Sequence, residues 1–352
     1  MKLNYKKTLL VGFAFFLICA FWQIYDVTIA MTLTSKFGLS QTASGVIMAL
    51  DNILALFMLP LFGGISDRCK SKSGRRTPFI RTGTILAVVF LMLLSFADNA
   101  QLKNIERYSK VNDPATMEMI YDEQKDATLQ TPEGVQYKLA DLYTREEFAQ
   151  LTTDSKTTEL NKFGREVEVN LYTRHVVPAR QAYAAGVTAE NPMPLILFVV
   201  LLLVVLVSMA TFRSPAVALM PDVTMKPLRS KANAIINLMG AVGGVFTLLM
   251  IKLLVGKSDH PNYFPLFLSV GALMAISIIV LFFTIKENKL RQEREELEVR
   301  EGLVEKEEEP TNKNAGQKLP KDVFRSLCFI LASVAFWFIA YNAVTTAFSR
   351  YA

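Results

Sequence analysis

The sequence predicts an all-α membrane protein whose chain crosses the bilayer several times. Of its 352 residues, 51% are hydrophobic and only 20% are charged, a balance that is too apolar for a soluble domain of this length. The apolar residues form continuous runs of about 20, the length of a helix that spans a bilayer core of about 30 Å. Strands of an outer-membrane barrel would alternate between polar and apolar residues. The runs therefore favour helices.

Seven apolar runs qualify as membrane-spanning helices and are numbered spans 1 to 7. They cover residues 8–32, 44–65, 78–97, 194–213, 233–255, 264–285 and 323–348. A basic segment before an apolar run is also typical of signal peptides. Span 1 is long, however, and no small-residue cleavage pattern follows Ala30, so we expect a retained helix.

Cationic residues collect on one side of the predicted membrane. With the amino terminus in the cytoplasm, the short inside segments contain thirteen Lys and Arg residues, and the short outside loops contain only Lys36 and Lys257. Loops rich in Lys and Arg stay on the cytoplasmic side. We therefore predict a multi-pass protein of the cell membrane with a cytoplasmic amino terminus. Because the cations flank spans, no nucleic-acid partner is expected.

The spans divide the chain into five segments. They are spans 1 to 3 (1–97), an insert (98–192), spans 4 to 6 (193–285), a linker (286–322) and span 7 (323–352). The insert, with 16 acidic and 11 basic residues, is expected outside the cell. It suits either a solvated, partly disordered loop or a small helical cap, and it is poor in a continuous core. The linker suits an exposed cytoplasmic helix that loosens after Pro310.

Cysteine spacing excludes two kinds of site. Cys19, Cys69 and Cys328 are far apart and lie in or beside spans, so they provide neither a disulfide framework nor a set of metal ligands. No nucleophile triad or phosphate-binding loop occurs elsewhere in the sequence. We predict no metal site, no cofactor and no enzymatic activity.

The segment GGISDRCKSKSGRRTPFI (63–80) concentrates charge between spans 2 and 3. Asp67 meets the negative end of its own helix dipole, so it needs a cation or the amino terminus of another helix. Gly63 and Gly64 would allow a neighbouring helix to approach closely. The pattern of glycines, Ser66, Asp67 and paired arginines resembles the loop between helices 2 and 3 of major facilitator superfamily transporters. Its long form is most similar to sucrose transporters and glycoside-pentoside-hexuronide:cation symporters.

Two further stretches resemble the same group. Residues 213–244 are similar to the loop between helices 4 and 5 with the fifth helix, and residues 336–352 to the seventh helix. The resemblance implies a major facilitator fold of two six-helix halves, each built from three-helix repeats. Because this sequence stops after its seventh span, we expect a fragment of a longer protein or a partner for a second copy. The insert is unusually large for the group.

The resemblance also implies a cytoplasmic gate. Charge pairs between loop 2/3 and loop 4/5 would hold one access state closed, and the matching residues are Gly63, Asp67, Arg68, Gly74, Arg75, Arg76, Arg213, Asp222 and Arg229. The aspartate pair that binds sodium in melibiose-type members corresponds to Ala55 and Leu59 here. Sodium is therefore less expected than a proton.

Two carboxylates lie within apolar spans, Asp26 in span 1 and Asp51 in span 2. Such groups cost about 2.5–3.5 kcal/mol at mid-helix and are functional candidates by default. We expect both to face the bundle interior and to bind and release the coupling proton. The alternative is a structural hydrogen bond from a protonated Asp to a neighbouring helix.

Sugar sites combine aromatic faces with amide and carboxylate groups. The candidates of these types within spans are Trp22, Gln23, Tyr25, Asn52, Asn233, Asn237, Trp337, Tyr341 and Asn342. Aromatic residues near helix ends serve as often to anchor a protein at the membrane interface. Asn237 with Gly240 and Gly244 also suits a close-packed helix face.

Together these features predict a secondary active transporter that takes up a disaccharide or α-glucoside with a proton by alternating access. Its partners would be the solute, the proton, the bilayer, and the missing carboxyl-terminal half or a second copy. Two alternatives stay open. One is a proton-coupled exporter of drugs or metabolites, and the other is a membrane sensor that uses the insert (98–192) as its ligand-binding domain.

Overall fold

The computed structural model describes residues 3–160, 166–256, 260–303 and 320–351. It divides into two compact units, Met1–Glu295 and Glu296–Ala352. Within the described residues, six helices, all in the first unit, are long and apolar enough to cross a membrane. They are span 1 (Tyr5–Lys36), span 2 (Gln41–Arg68), span 3 (Thr77–Ile105), span 4 (Met193–Val223), span 5 (Lys226–Leu254) and span 6 (Phe264–Thr284).

Several spans depart from a regular α-helix. Span 1 is α-helical over Tyr5–Ile24 and contains two π-helical segments, Tyr25–Ile29 and Thr32–Lys36. Span 2 consists of two helices, Gln41–Met48 and Leu50–Arg68. Span 5 begins with a 3₁₀ turn over Lys226–Leu228, and its α-helix covers Arg229–Leu254. Such irregular turns frequently mark functional positions in a helix.

Span 3 continues well past its predicted end at residue 97, reaching Ile105. The polar residues after that point had suggested the start of the insert. The structure instead buries Asp98 and Gln101 inside the protein, where both have hydrogen-bond partners. A satisfied polar side chain does not end a helix, so composition alone placed this boundary too early.

Spans 1 and 5 pack closely through glycines of span 5. A Cβ atom at Gly243 would lie 2.4 Å from the backbone oxygen of Phe16, and one at Gly240 would lie 2.8 Å from the Cys19 sulfur. At Gly244 the nearest atom, Gln23 Oε1, would be 3.7 Å away, which is an ordinary contact. The small residues thus let the two helix backbones meet.

Lys36 is buried, although the sequence had placed it in an outside loop. Its Nζ donates to both carboxylate oxygens of Asp98 at 2.7 Å, and it lies 4.3 Å from the centre of the Tyr263 ring. The hydroxyl of Thr32 also donates to Asp98, at 3.3 Å. These contacts join spans 1 and 3 and the start of span 6. Lys257, the other predicted outside cation, is outside the described residues.

The insert folds as a cap of short helices and two hairpins. Its helices are Pro114–Gln124, Leu139–Leu142, Arg145–Ala149 and Val177–Glu190, with a 3₁₀ turn at Glu106–Tyr108 and a π segment at Tyr172–Val176. Strands β1 (Leu129–Gln130) and β2 (Gln136–Tyr137) pair antiparallel, as do β3 (Lys156–Leu160) and β4 (Glu166–Asn170). The sequence had predicted neither hairpin.

The cap has its own hydrophobic core, so the expectation of a segment poor in continuous core was wrong. Met117, Ile120, Leu139, Phe148 and Val176 are completely buried in it. The apolar residues are spread thinly along 85 residues of chain and meet only when the short elements fold together. Of the two alternatives for the insert, the structure has the folded cap.

The cap helix Val177–Glu190 attaches the cap to the bundle. The Gln181 amide donates to the carbonyl of Leu39 at 2.7 Å, and the Gln101 amide donates to the Thr188 hydroxyl at 3.2 Å. Gly38, at a φ of +68°, lies so close that a Cβ atom would be 2.1 Å from the backbone nitrogen of Ala185. The cap is therefore bonded to the ends of spans 1 and 3.

The linker begins with the helix Glu287–Arg300, as predicted, but its first residue is fully buried rather than exposed. The predicted loosening after Pro310 concerns residues outside the described part of the chain. In the second unit, residues Lys321–Tyr351 form one helix at the position of span 7.

Candidate functional site

Three spans contribute to a small pocket in the bundle. It is lined by Trp22 of span 1, Asp51 of span 2, Arg213 of span 4, and the apolar residues Leu54, Ala55, Leu59, Leu206 and Ala210. The space in it is about 10 Å³, roughly what one water molecule needs. The guanidinium of Arg213, the carboxylate of Asp51 and the indole of Trp22 thus line a pocket whose other lining residues are apolar.

The Trp22 side chain is held by its aromatic neighbours. Its ring meets Phe21 and Tyr25 edge to face, with centroids 5.3 and 5.2 Å apart. Tyr25 is buried, and its hydroxyl donates to the carbonyl of Met48 at 3.2 Å. The Arg213 guanidinium lies 5.4 Å from the Trp22 ring centre. The buried indole Nε1 has no hydrogen-bond partner among the described residues, so a donor is available in the pocket.

Asp51 lies in the first turn of the helix Leu50–Arg68, directly after the break in span 2. Its Oδ1 accepts from the backbone N–H and the side-chain amide of Asn52, at 2.6 and 2.8 Å. Asp51 is half-buried and Asn52 is exposed. These contacts leave Asp51 Oδ2 available to another partner. Asp51 thus lines a pocket between spans 1, 2 and 4, and its role as a coupling group stays a prediction.

Asp26 is exposed within the six spans of the first unit, and its place facing the interior of a complete bundle stays a prediction. The residue lies in the π-helical segment Tyr25–Ile29. A π turn carries more residues than an α turn, so it changes the direction of the side chains within it.

Among the predicted solute-binding residues of the first unit, Trp22 alone lines this pocket. Gln23 is half-buried, and Asn233 and Asn237 are exposed on span 5. Trp337 is exposed on the helix Lys321–Tyr351 of the second unit. The backbones of Tyr341 and Asn342 belong to that helix, and their side chains are outside the described part of the structure. Of the predicted set, Trp22 lines the pocket and Tyr25 supports it.

A second cluster lies where spans 2, 3 and 4 end together. The Arg76 guanidinium donates to the Ser66 hydroxyl, to Asp67 and, at 2.8 Å, to Asp222. Arg75 lies 3.6 Å from the same Asp222 carboxylate. The predicted charge pairs between loops 2/3 and 4/5 are thus present, and Arg76 is their centre.

Three arginines that were predicted for the gate make no contact with the Arg76 cluster among the described contacts. Arg213 lies in the pocket with Trp22, and not in this cluster. Arg229 donates to the carbonyls of Pro221 and Thr224, at 2.9 and 3.4 Å, and thereby satisfies the end of span 4. Arg68 is exposed. Neighbouring basic residues look alike in sequence, and only their positions on the folded helices separate them.

The glycines of the loop 2/3 motif also differ in role. A Cβ atom at Gly63 would lie 2.9 Å from the Ser214 hydroxyl of span 4, whereas Gly64 has nothing within 4 Å. Gly74 has a φ of +119°, in the left-handed region that disfavours other residues. Gly63 therefore allows the predicted close approach of helices, and Gly74 forms the turn before span 3.

Sequence reasoning missed Glu287. Its carboxylate accepts hydrogen bonds from the backbone N–H groups of Arg75, Arg76 and Thr77 at the start of span 3. The Thr77 hydroxyl donates to it as well, at 2.9 Å. Glu287 was hidden in a charged run that resembles any solvated helix. Its place directly after span 6 was the available signal.

Comparison with known proteins agrees with this architecture. The family model of the Major Facilitator Superfamily matches residues 11–104 and 181–352, which exclude most of the cap. The chain belongs to the Major Facilitator Superfamily. It is thus a member of a family of multi-pass transporters, and its nearly all-helical fold with six long apolar helices fits that family.

One relative is the "Sucrose transport protein SUC4" of Arabidopsis thaliana, which is 37% identical over 62 residues. The match covers 18% of this chain and 12% of that protein, so the chain aligns with only a small part of the relative. No solved structure matches the chain significantly.

Proposed function

We propose that this protein takes up a sugar, of the disaccharide or α-glucoside class, together with a proton across the cell membrane. The solute would bind in the cavity that begins at the pocket of Trp22, Asp51 and Arg213. A second six-helix half, from the same chain or a second copy, would complete the cavity. Rocking of the two halves would then expose the site to one side at a time.

The observation that carries the proposal is the shared pocket of one carboxylate, one guanidinium and one indole in a Major Facilitator chain. Arg213 and the indole N–H of Trp22 are donors and Asp51 is an acceptor, so together they suit the hydroxyl groups of a sugar. The partial similarity to a sucrose transporter supports the same class of solute.

Asp51 is the proposed proton carrier. With Asp51 ionised, the positive charge of Arg213 is balanced within the pocket, and protonation leaves that charge uncompensated. The protonated acid also becomes a hydrogen-bond donor, which changes what the pocket offers a solute. Binding of the proton and of the solute would thereby be linked. The exposed Asp26 lies near by on span 1 and would face the second half.

The proposed orientation in the membrane rests on the excess of Lys and Arg in the loops on one side of the spans. The cluster of Arg75, Arg76 and Asp222 would form the cytoplasmic gate, and the cap would lie outside the cell. In this orientation the amino terminus is cytoplasmic, and protons enter with the solute from the side of the cap.

The test is the uptake of labelled sugars by proteoliposomes that contain the full chain with its partner half or second copy. We expect D51N to abolish accumulation against a gradient while exchange of labelled for unlabelled sugar continues. D154N, the same change at an exposed position of the cap, is the matched control and should transport normally. Accumulation that survives D51N unchanged would show that Asp51 is not the coupling group.

The folded cap favours one other candidate, a membrane sensor. A domain with its own buried core can carry a ligand site, whereas a disordered loop cannot. Sugar binding to the full chain that is abolished by changes in the cap and unaffected by D51N would support a sensor. An exporter would show counterflow of dyes instead of labelled sugars.

A further inference from the structure

The backbone hydrogen bonds of span 2 are interrupted at the break between its two helices. The Ala49 N–H donates to the carbonyl of Gly45 at 2.9 Å, and the Ile53 N–H donates to the carbonyl of Ala49 at 3.2 Å, as in a continuous α-helix. A continuous helix would also join the Asn52 N–H to the carbonyl of Met48. Among the hydrogen bonds of the described residues, this donor and this acceptor have other partners.

Two side chains replace the missing backbone bond. The Asp51 carboxylate accepts from the Asn52 N–H at 2.6 Å and from the Asn52 side-chain amide at 2.8 Å. The Tyr25 hydroxyl of span 1 donates to the Met48 carbonyl at 3.2 Å. Side chains that insert into the hydrogen-bond ladder of a helix are a known cause of kinks. The donor and the acceptor of one helical bond thus each have a substitute partner.

The substitute bond to Asn52 depends on the charge of Asp51. A hydrogen bond to an ionised acceptor is roughly twice as strong as one between neutral groups. The start of a helix also favours an anion, and Asp51 lies in the first turn of the helix Leu50–Arg68. Protonation of Asp51 removes both advantages. The Asn52 N–H then gains by returning to the Met48 carbonyl.

Charged and titratable groups of spans 1 and 4 also act on Asp51. Arg213 of span 4 lines the same pocket and attracts a negative charge on Asp51. Asp26 of span 1 repels such a charge, and the Tyr25 hydroxyl is engaged with the Met48 carbonyl. These groups influence whether Asp51 is ionised, whereas the Asn52 N–H is the partner that a backbone carbonyl can replace.

We propose that Tyr25 is a positioning residue that links protonation of Asp51 to the shape of span 2. While Asp51 is ionised it holds the Asn52 N–H, Tyr25 holds the Met48 carbonyl, and the span stays broken. A proton binds the Asp51 oxygen that does not contact Asn52. The Asn52 N–H then returns to Met48, and the helix becomes continuous. The Tyr25 hydroxyl is displaced beside Trp22, whose ring centroid lies 5.2 Å from its own.

The inference rests on the proposed function for the role of Asp51 as proton carrier, and it adds the conformational consequence of that proton. Closing the break changes the direction of the helix Gln41–Met48 relative to the rest of span 2. It also frees a hydroxyl next to the pocket, where it can bond to a solute. The shape of span 2 can be measured without transport, so the inference has a test of its own.

The test measures the distance between spin labels at the two ends of span 2, one on Q41C and one on the native Cys69. The full chain carries C19A/C328A, which removes the other two cysteines, and is held in lipid nanodiscs. A continuous helix between the two positions spans about 42 Å, and a broken one is shorter. We expect the shorter distance at high pH and the longer one at low pH. D51N should give the longer distance at every pH.

Y25F distinguishes this role from simple packing of the Tyr25 ring. The variant keeps the ring but leaves the Met48 carbonyl without its partner in the broken state, so it destabilises the broken state alone. The state that binds the proton is then favoured, and the midpoint should rise by roughly one pH unit, the tenfold change for loss of one hydrogen bond. Y5F, the same change at a tyrosine that is 66% exposed, should leave the midpoint in place.

Three results would overturn the exchange of partners. They are a distance that does not change with pH, a midpoint that Y25F does not move, and a D51N chain whose distance still changes with pH. Sugar uptake that requires Asp51 while the distance stays constant would remove this inference and leave the proposed function intact. Conversely, a distance that changes as expected in a chain that carries no sugar would contradict only the proposed function.

Discussion

Lys36 and Asp98 form an ion pair in which at most 1% of either side chain is exposed, with Nζ 2.7 Å from each carboxylate oxygen. The pair joins the end of span 1 to span 3 beneath the cap. Burial of two charges is costly, and the cost is offset only while both partners are present. The region is therefore sensitive to the loss of one partner.

We predict that K36M or D98N alone lowers the free energy of unfolding by about 3–5 kcal/mol, because each leaves one buried charge without its partner. The free energy of unfolding of the double variant should fall by less than the sum of the two single losses. Thermal unfolding in detergent measures the effect, and K103M, the same change at an exposed position of span 3, is the control. Equal stability of K36M and K103M would contradict this assignment.

The glycines of span 5 permit a comparison between adjacent positions. G243A should be strongly destabilising, by about 1–3 kcal/mol, because its Cβ would lie 2.4 Å from the backbone of Phe16. G244A should be tolerated, since the nearest atom would be 3.7 Å away. Thermal unfolding of the two variants side by side tests the packing of spans 1 and 5. A similar loss in both would contradict close packing as the cause, since alanine favours a helix more than glycine does.

The contacts among spans 2, 3 and 4 at the proposed gate depend on the forked shape of Arg76. A guanidinium reaches Ser66, Asp67 and Asp222 together, and a lysine ammonium at the same place does not. We expect R76K to destabilise the protein by about 1–3 kcal/mol despite its retained charge. R68K, the same change at the exposed neighbour, should have no measurable effect. The melting temperatures of the two variants test this, and an unaffected R76K would show that charge alone suffices.

The lowered pKa of His175 predicts how the stability of the cap depends on pH. Burial lowers the pKa of the His175 imidazole below its ordinary value, and the nearby Arg174 lowers it further, while Glu159 and Glu133 act in the opposite direction. The Tyr143 hydroxyl lies 2.7 Å from its Nδ1 and the Tyr137 hydroxyl donates to its carbonyl. The folded cap thus favours the neutral ring.

Because the unfolded chain binds a proton more readily at His175, stability is complete above the ordinary His pKa of about 6.5 and falls as the pH drops below it. We predict that H175N reduces the slope of stability between pH 7.5 and 5 by up to about 1.4 kcal/mol per pH unit. Burial also lowers the pKa of His260, to about 3, so H260N should flatten the slope too. Thermal unfolding across this range measures both, and an unchanged slope in H175N would contradict the assignment.

The sequence by itself determined the class of the protein and most members of the charged cluster around Arg76. Runs of about 20 apolar residues specify spanning helices whatever they pack against, because each helix satisfies its own backbone in the bilayer. The resemblance of the motif that contains Asp67, Arg75 and Arg76 to a known family implied its charge pairs, including those with the distant Asp222.

Only the tertiary structure decided which distant residues meet. Lys36 and Asp98 are 62 positions apart, and Glu287 and Arg76 are 211 positions apart, so no local pattern pairs them. Likewise, Arg213 lines the pocket and is not part of the Arg76 cluster, and Asp26 is exposed within a π-helical segment of span 1. Local composition fixes where a helix forms, whereas the directions of its polar side chains depend on turn geometry and on partners that only folding brings near.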